Sequence, residues 1–167
     1  MPDALYQLAE QLLDLLKQRQ KTITTAESCT GGWVAKCLTD VPGSSSVFDR
    51  GFVTYSNESK QEMLGVPSET LSHYGAVSEE TAIAMVKGAL NNSQADMAVA
   101  ITGIAGPGGG NPDKPVGTVC FAWAFQNNHT QTETLCFKGD RDAVRRQSVQ
   151  HALQVAIKGL SQNNLRF

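Results

Sequence analysis

The sequence predicts an α/β fold, a three-layer α/β/α sandwich with a mostly parallel, mixed sheet. Three observations carry this. Short β-prone runs alternate with amphipathic helical patterns, the order that builds strands joined through helices. Two of those runs end in glycine-rich polar loops, at Glu27–Gly32 and Gly103–Gly110. The last two runs are separated only by a short turn, so they form a hairpin and bring antiparallel pairing into the sheet.

Residues 3–20 read as a helix, because Leu5, Leu8, Leu12, Leu15 and Leu16 recur at helical spacing between polar side chains. Thr22–Ala26 is a β-prone run that passes through Glu27-Ser28-Cys29-Thr30-Gly31-Gly32 into a second helix, Trp33–Leu38. Val41–Ser46 reads as a loop and Gly51–Tyr55 as the second strand. Asn57–Leu64 reads as a short helix stopped by Gly65 and Pro67. His73–Val77 leads into a helix over Ser78–Leu90, with Ser78 as N-cap and Glu79 and Glu80 at the positive end of its dipole. Met97–Thr102 is an apolar strand. Gly117–Phe125 and Thr132–Phe137 pair across Gln126–His129, and Asp140 caps a last helix that runs to about Ser161.

The 167 residues suit one domain over 1–167, and neither an internal repeat nor a linker interrupts them. With 41% hydrophobic and 18% charged residues and a formal net charge of −2, the composition is globular. It argues against nucleic-acid or anionic-membrane binding, which calls for a basic surface. Cys29, Cys37, Cys120 and Cys136 form no C-x-x-C pair, and His73, His129 and His151 are scattered, so no metal site is expected. No signal-peptide pattern and no long apolar window occur, so a cytoplasmic location with reduced thiols is expected.

The two strand-end loops are the natural place for a ligand, since open α/β sheets bind beyond the carboxyl ends of their strands. Neither loop matches a Walker A or dinucleotide-binding pattern. Ser28 serves either as a plain N-cap or as a nucleophile facing helix N–H groups. Cys29 is the rival nucleophile, or a small buried apolar residue. No histidine completes a Ser-His-Asp pattern. Tyr55-Ser56-Asn57-Glu58-Ser59-Lys60 follows the second strand. Lys60 there is either a solvated cation or, if burial or another cation lowers its pKa, a base. Arg141 and Arg145 share one helix face and either clamp a phosphate or pair with nearby carboxylates.

Taken together, these runs resemble the C-terminal domain of the competence/damage-inducible CinA family. The resemblance lies in Thr25–Gly32, Tyr55–Lys60, Gly75-Ala76-Val77-Ser78, Thr102–Gly109, Lys114–Val119 and Gly139-Asp140-Arg141, in the family's order over residues 5–160. Stand-alone members of this length resemble nicotinamide-mononucleotide deamidases. The resemblance implies hydrolysis of the nicotinamide carboxamide to nicotinic acid mononucleotide and ammonia, in pyridine-nucleotide recycling. It places a catalytic serine and lysine on Ser28 and Lys60, with Tyr55 beside them to relay a proton or orient the amine. Around that core, Thr30, Gly31, Ser45, Thr102, Gly103, Gly106, Arg141 and Arg145 are the candidate substrate-binding residues. No cofactor is implied, the partner is the mononucleotide, and the family suggests a homodimer. The alternative is a non-catalytic nucleotide-binding or competence-related interaction module, which would keep the glycine loops without needing Ser28 and Lys60 together.

Overall fold

Helix α1 (Ala4–Arg19) begins where the Asp3 carboxylate accepts the Leu5 N–H, at 3.2 Å, and ends at Gln20 in the left-handed conformation. It is the first element of a computed structural model that describes residues 3–127 and 129–162. The chain continues through β1 (Ile23–Glu27), α2 (Trp33–Thr39), a 3-10 turn at Ser44–Ser46, β2 (Phe48–Val53) and α3 (Asn57–Leu64). Then follow α4 (Ser68–Tyr74), α5 (Glu79–Asn91), β3 (Met97–Gly103), β4 (Thr118–Phe125), β5 (Thr130–Cys136) and α6 (Arg141–Ser161).

The five strands form one sheet in the order β2-β1-β3-β4-β5. β1 pairs in parallel with β2 and β3, whereas β4 runs antiparallel to both β3 and β5. Four strands therefore point one way and β4 alone opposes them, which is the mostly parallel, mixed sheet expected.

Side-chain alternation sorts the two faces. On one, Val99, Ile101, Phe121 and Trp123 meet α1, α2 and α6 through residues such as Leu12, Val34 and Leu153. On the other, Ala98, Ala100, Ala122 and Ala124 leave room for Met85, Val86 and Ala89 of α5. Gly88 lets α5 come still closer: a Cβ there would collide with the Leu64 carbonyl at the end of α3. The position of α3, and of the lysine it carries, is thus set by a glycine on a neighbouring helix.

Three expectations shift. Helix α4 occupies a stretch read as a connection; Leu71 is its one buried residue, so it carries no apolar periodicity. β2 starts and ends earlier than expected, because Asp49 and Arg50 look like loop residues but sit on an exposed edge strand. Ser44–Ser46 is a turn of 3-10 helix rather than open loop. In the hairpin turn, Asn128 lies outside the described residues.

Candidate active site

Because β1, β2 and β3 are parallel, their carboxyl ends converge on one edge of the sheet, the arrangement that places ligands there in open α/β folds. Ser28 follows β1 directly. Its N–H donates to the Ile101 carbonyl of β3 at 2.9 Å, and the neighbouring Glu27 carbonyl accepts the Thr54 N–H beyond β2 at 2.9 Å. The serine is therefore locked between two strands rather than carried on a free loop.

Lys60 arrives from α3. That helix starts with a capping box in which Ser56 and Ser59 exchange side-chain and backbone hydrogen bonds. One turn later Lys60 points inward and is only 1% exposed. Its Nζ lies 3.0 Å from Ser28 Oγ, 3.0 Å from the Thr54 carbonyl and 3.3 Å from the Tyr55 carbonyl. Loss of hydration pushes the Lys60 amine below its ordinary value, which favours the neutral form. A neutral amine has two N–H bonds and one lone pair. With two carbonyls to take the N–H bonds, the remaining tetrahedral direction belongs to Ser28, whose O–H can donate to the nitrogen.

Cys29 stands in the opposite condition. Burial, reinforced by the negative charge of Glu27, pushes its thiol up to about 12. A thiol held so far from ionisation is a poor nucleophile, so the two adjacent candidates separate in favour of serine.

A cavity of about 280 Å³ opens over the pair, floored by Ser28 and Lys60 and walled by Tyr55, Thr102, Gly103 and Gly106. Arg141 closes its mouth, donating from Nη1 to the Gly106 carbonyl at 2.8 Å and from Nη2 to the Tyr55 hydroxyl at 2.9 Å. Thr102 is buried and donates from Oγ1 to the Ala76 carbonyl at 2.8 Å. Asn57, Ala76 and Val77 also line the cavity and were not singled out from the sequence. Their signal was present, since they lie inside the runs Tyr55–Lys60 and Gly75–Ser78.

Four expectations need correction, and a fifth candidate, Ser45, lies apart from this cavity. The Tyr55 phenol meets Arg141, not the amine, and it is the Tyr55 carbonyl that contacts Lys60. Thr30 is fully buried and its hydroxyl donates to the Glu27 carboxylate at 2.7 Å, so its side chain is committed to the fold. Gly31 lies in the left-handed conformation behind the serine, beside the Arg145 guanidinium, and outside the cavity. Arg145 donates to the Cys29 and Thr30 carbonyls at 3.0 and 3.2 Å from the far side of the turn, so it is no part of the cavity wall. Ser45 is exposed in the turn that precedes β2, roughly 20 Å of strand from the end that carries the site.

Glu27, quoted in the Glu27–Gly32 run without a role, lies directly before the serine and holds the turn that follows it. Its carboxylate accepts the Val34 and Ala35 N–H groups at 2.9 and 3.1 Å, besides the Thr30 hydroxyl, and so ties the start of α2 beneath the serine. Burial pushes this carboxyl up, against the pull of those donors. Among the described residues, no group of His, Cys, Asp and Glu side chains could hold a metal ion, and no helix is long and apolar enough to cross a membrane.

Fold and site together define a three-layer α/β/α domain with its cleft at the carboxyl ends of the parallel strands. A model of the CinA C-terminal domain matches residues 5–160, and the chain belongs to that family. It is 57% identical over 159 residues to the Escherichia coli K12 protein named nicotinamide-nucleotide amidohydrolase PncC, covering 95% of this chain and 96% of that protein. It is 58% identical over 147 residues to a putative competence-damage inducible protein of Symbiobacterium thermophilum, covering 83% of this chain but 34% of that longer protein. Among solved structures, the competence/damage-inducible protein CihA of Agrobacterium tumefaciens superposes with a TM-score of 0.93 at 45% identity, covering 97% of this chain and 98% of that one.

Proposed function

We propose that this protein hydrolyses the carboxamide of nicotinamide mononucleotide to nicotinic acid mononucleotide and ammonia through a serine–lysine mechanism, in the recycling of pyridine nucleotides. The observation that carries the reading is the buried Ser28–Lys60 contact of 3.0 Å, with two carbonyls taking the N–H bonds of the amine. The near full-length similarity to a nicotinamide-nucleotide amidohydrolase supports the choice of substrate.

The steps follow from the groups present. Neutral Lys60 takes the Ser28 proton as Oγ attacks the carboxamide carbon, forming a tetrahedral oxyanion. The lysine returns that proton to the departing nitrogen, and ammonia leaves behind an acyl-serine. Water, deprotonated by the same amine, then attacks the ester and frees the carboxylate and Ser28. The Ser28, Gly31 and Ile104 N–H groups are committed to the Ile101, Ser28 and Thr118 carbonyls. Cys29, Ala105 and Gly106, which line the cavity, are therefore the oxyanion donors in this reading, each such donor being worth about 10²–10³ in rate. Arg141, at the cavity mouth, is the cation for the ligand phosphate, and its fork offers further N–H groups beyond the two already used.

The test is ammonia release from nicotinamide mononucleotide by the purified protein, with the riboside and simple amides in parallel. Turnover of the mononucleotide, lost in Ser28→Ala, is the expected result. Binding of the mononucleotide without any ammonia would favour the non-catalytic module instead.

A further inference from the structure

Arg141 and Arg145 lie one helical turn apart on α6, yet they end on opposite sides of the turn that carries the nucleophile. Arg141 reaches the cavity. Arg145 stays outside, half-buried, with its guanidinium 5.5 Å from the centre of the Trp33 ring and its donors on the Cys29 and Thr30 carbonyls. Nothing in the amidase reading uses it.

We propose that Arg145 is a positioning residue: by holding the successive Cys29 and Thr30 carbonyls outward, it fixes the turn that follows Ser28, with the Thr30 and Gly31 N–H groups on its inner side. This rests on the amidase reading and deepens it. In a trans peptide the C=O and the following N–H point in opposite directions. A Cys29 carbonyl drawn toward the guanidinium therefore turns the Thr30 N–H away from it, into the turn. The Thr30 carbonyl does the same for Gly31, and that N–H is indeed found inward, donating to the Ser28 carbonyl at 3.0 Å. Only a fork-shaped cation can take two neighbouring carbonyls in fixed geometry; an ammonium acts as a point charge. From the inner side Glu27 holds the Thr30 hydroxyl and the first N–H groups of α2. The turn is gripped between the Glu27 carboxyl group and the Arg145 guanidinium, and Gly31, with φ +59°, supplies the backbone conformation that lets it pass between them.

A phosphate ligand and a positioning residue leave different kinetic signatures. Loss of a phosphate contact raises KM for the mononucleotide and spares the riboside. Loss of a clamp on the turn that carries the nucleophile lowers kcat on both substrates equally, because the defect lies at the reacting carbon. For Arg145→Ala and Arg145→Lys we expect kcat to fall about 10–100-fold, the scale of a misplaced catalytic group. KM should stay within about threefold, and the ratio of mononucleotide to riboside efficiency should not change. Amide hydrogen exchange at residues 29–32 should quicken in Arg145→Lys while the strands stay protected. Retained kcat with raised KM, a loss confined to the mononucleotide, or unaltered exchange at 29–32 would each overturn the proposal. Should Arg145→Ala fail to fold, Arg145→Lys, which keeps the charge and much of the stem over Trp33, decides it alone. If the wild-type chain released no ammonia, the amidase reading would fall, while the exchange measurement would still judge the clamp.

Discussion

The inner and outer ends of the cavity are built on opposite principles. At the inner end Ser28 and Lys60 are 7% and 1% exposed and meet no carboxylate. At the outer end Tyr55 is 61% exposed and its hydroxyl accepts from the Arg141 guanidinium. An amine becomes a base by losing water, so the inner pair needs burial and the absence of a counter-ion. A phosphate clamp needs a permanent charge reachable from solution, so the outer pair needs exposure. One short α/β cleft thus keeps the amine that is to act as a base at its floor and the guanidinium that is to meet an anion at its mouth.

The largest break in that comparison comes from the inner end. Ser28→Ala is expected to lower kcat by about 10³ or more with normal folding, the scale of nucleophile loss in hydrolases. Retention of more than a tenth of wild-type turnover would move the nucleophile elsewhere. Lys60→Arg probes the same pair differently. Guanidinium keeps the charge but cannot accept a proton near neutrality, so Lys60→Arg should be nearly as inactive as Lys60→Ala. Substantial turnover by the arginine variant would reduce Lys60 to an electrostatic role.

The outer end should respond in KM. Arg141→Ala is expected to raise KM for the mononucleotide about 10–100-fold, the worth of a charge-assisted hydrogen bond, and to leave the riboside unaffected. A smaller effect is expected one residue from the nucleophile: Cys29→Ala should stay within about tenfold of wild type, because a thiol pushed up to about 12 is not ionised at working pH. A loss matching that of Ser28→Ala would reverse the ranking.

Depth also sets pH dependence. Lys60 is lowered by desolvation in the folded chain, so kcat/KM should rise with pH through a midpoint below 10.5. The stability consequence has the same sign. Between the lowered folded value and 10.5 the unfolded chain binds the extra proton, so folding strengthens as pH rises through that window. Against Lys60→Met, the wild-type Tm should therefore gain as pH rises toward 10.5. A difference that stays flat with pH would mean the amine is charged in both states.

Local pattern made most of the frame legible. Apolar spacing located α1, capping residues located α5 and α6, and the bounds expected for α3, Asn57–Leu64, are the observed ones. Helix α4 and the true span of β2 escaped because one buries a single residue and the other is an exposed edge. The site was legible as motifs: Ser28 and Lys60 were named from their runs, and Asn57 and Val77 lay in runs already noticed. Their burial, and Glu27's role under the serine, were not, because polar residues in a loop look alike whether solvated or enclosed.

The order of elements, the fold class and the residue types available for chemistry are written locally, because periodicity and turn chemistry act within a few neighbouring residues. Tertiary structure alone decided what each polar group does. Ser28 meets Lys60 across 32 residues, Tyr55 meets Arg141 across 86, and Cys29 meets Arg145 across 116. Two arginines four residues apart were alike as sequence. They parted only when α6 packed beside α2 and the nucleophile turn came to lie between them. Hydration, direction and competing partners set the behaviour of a charge, and all three are properties of the folded surroundings rather than of the residue.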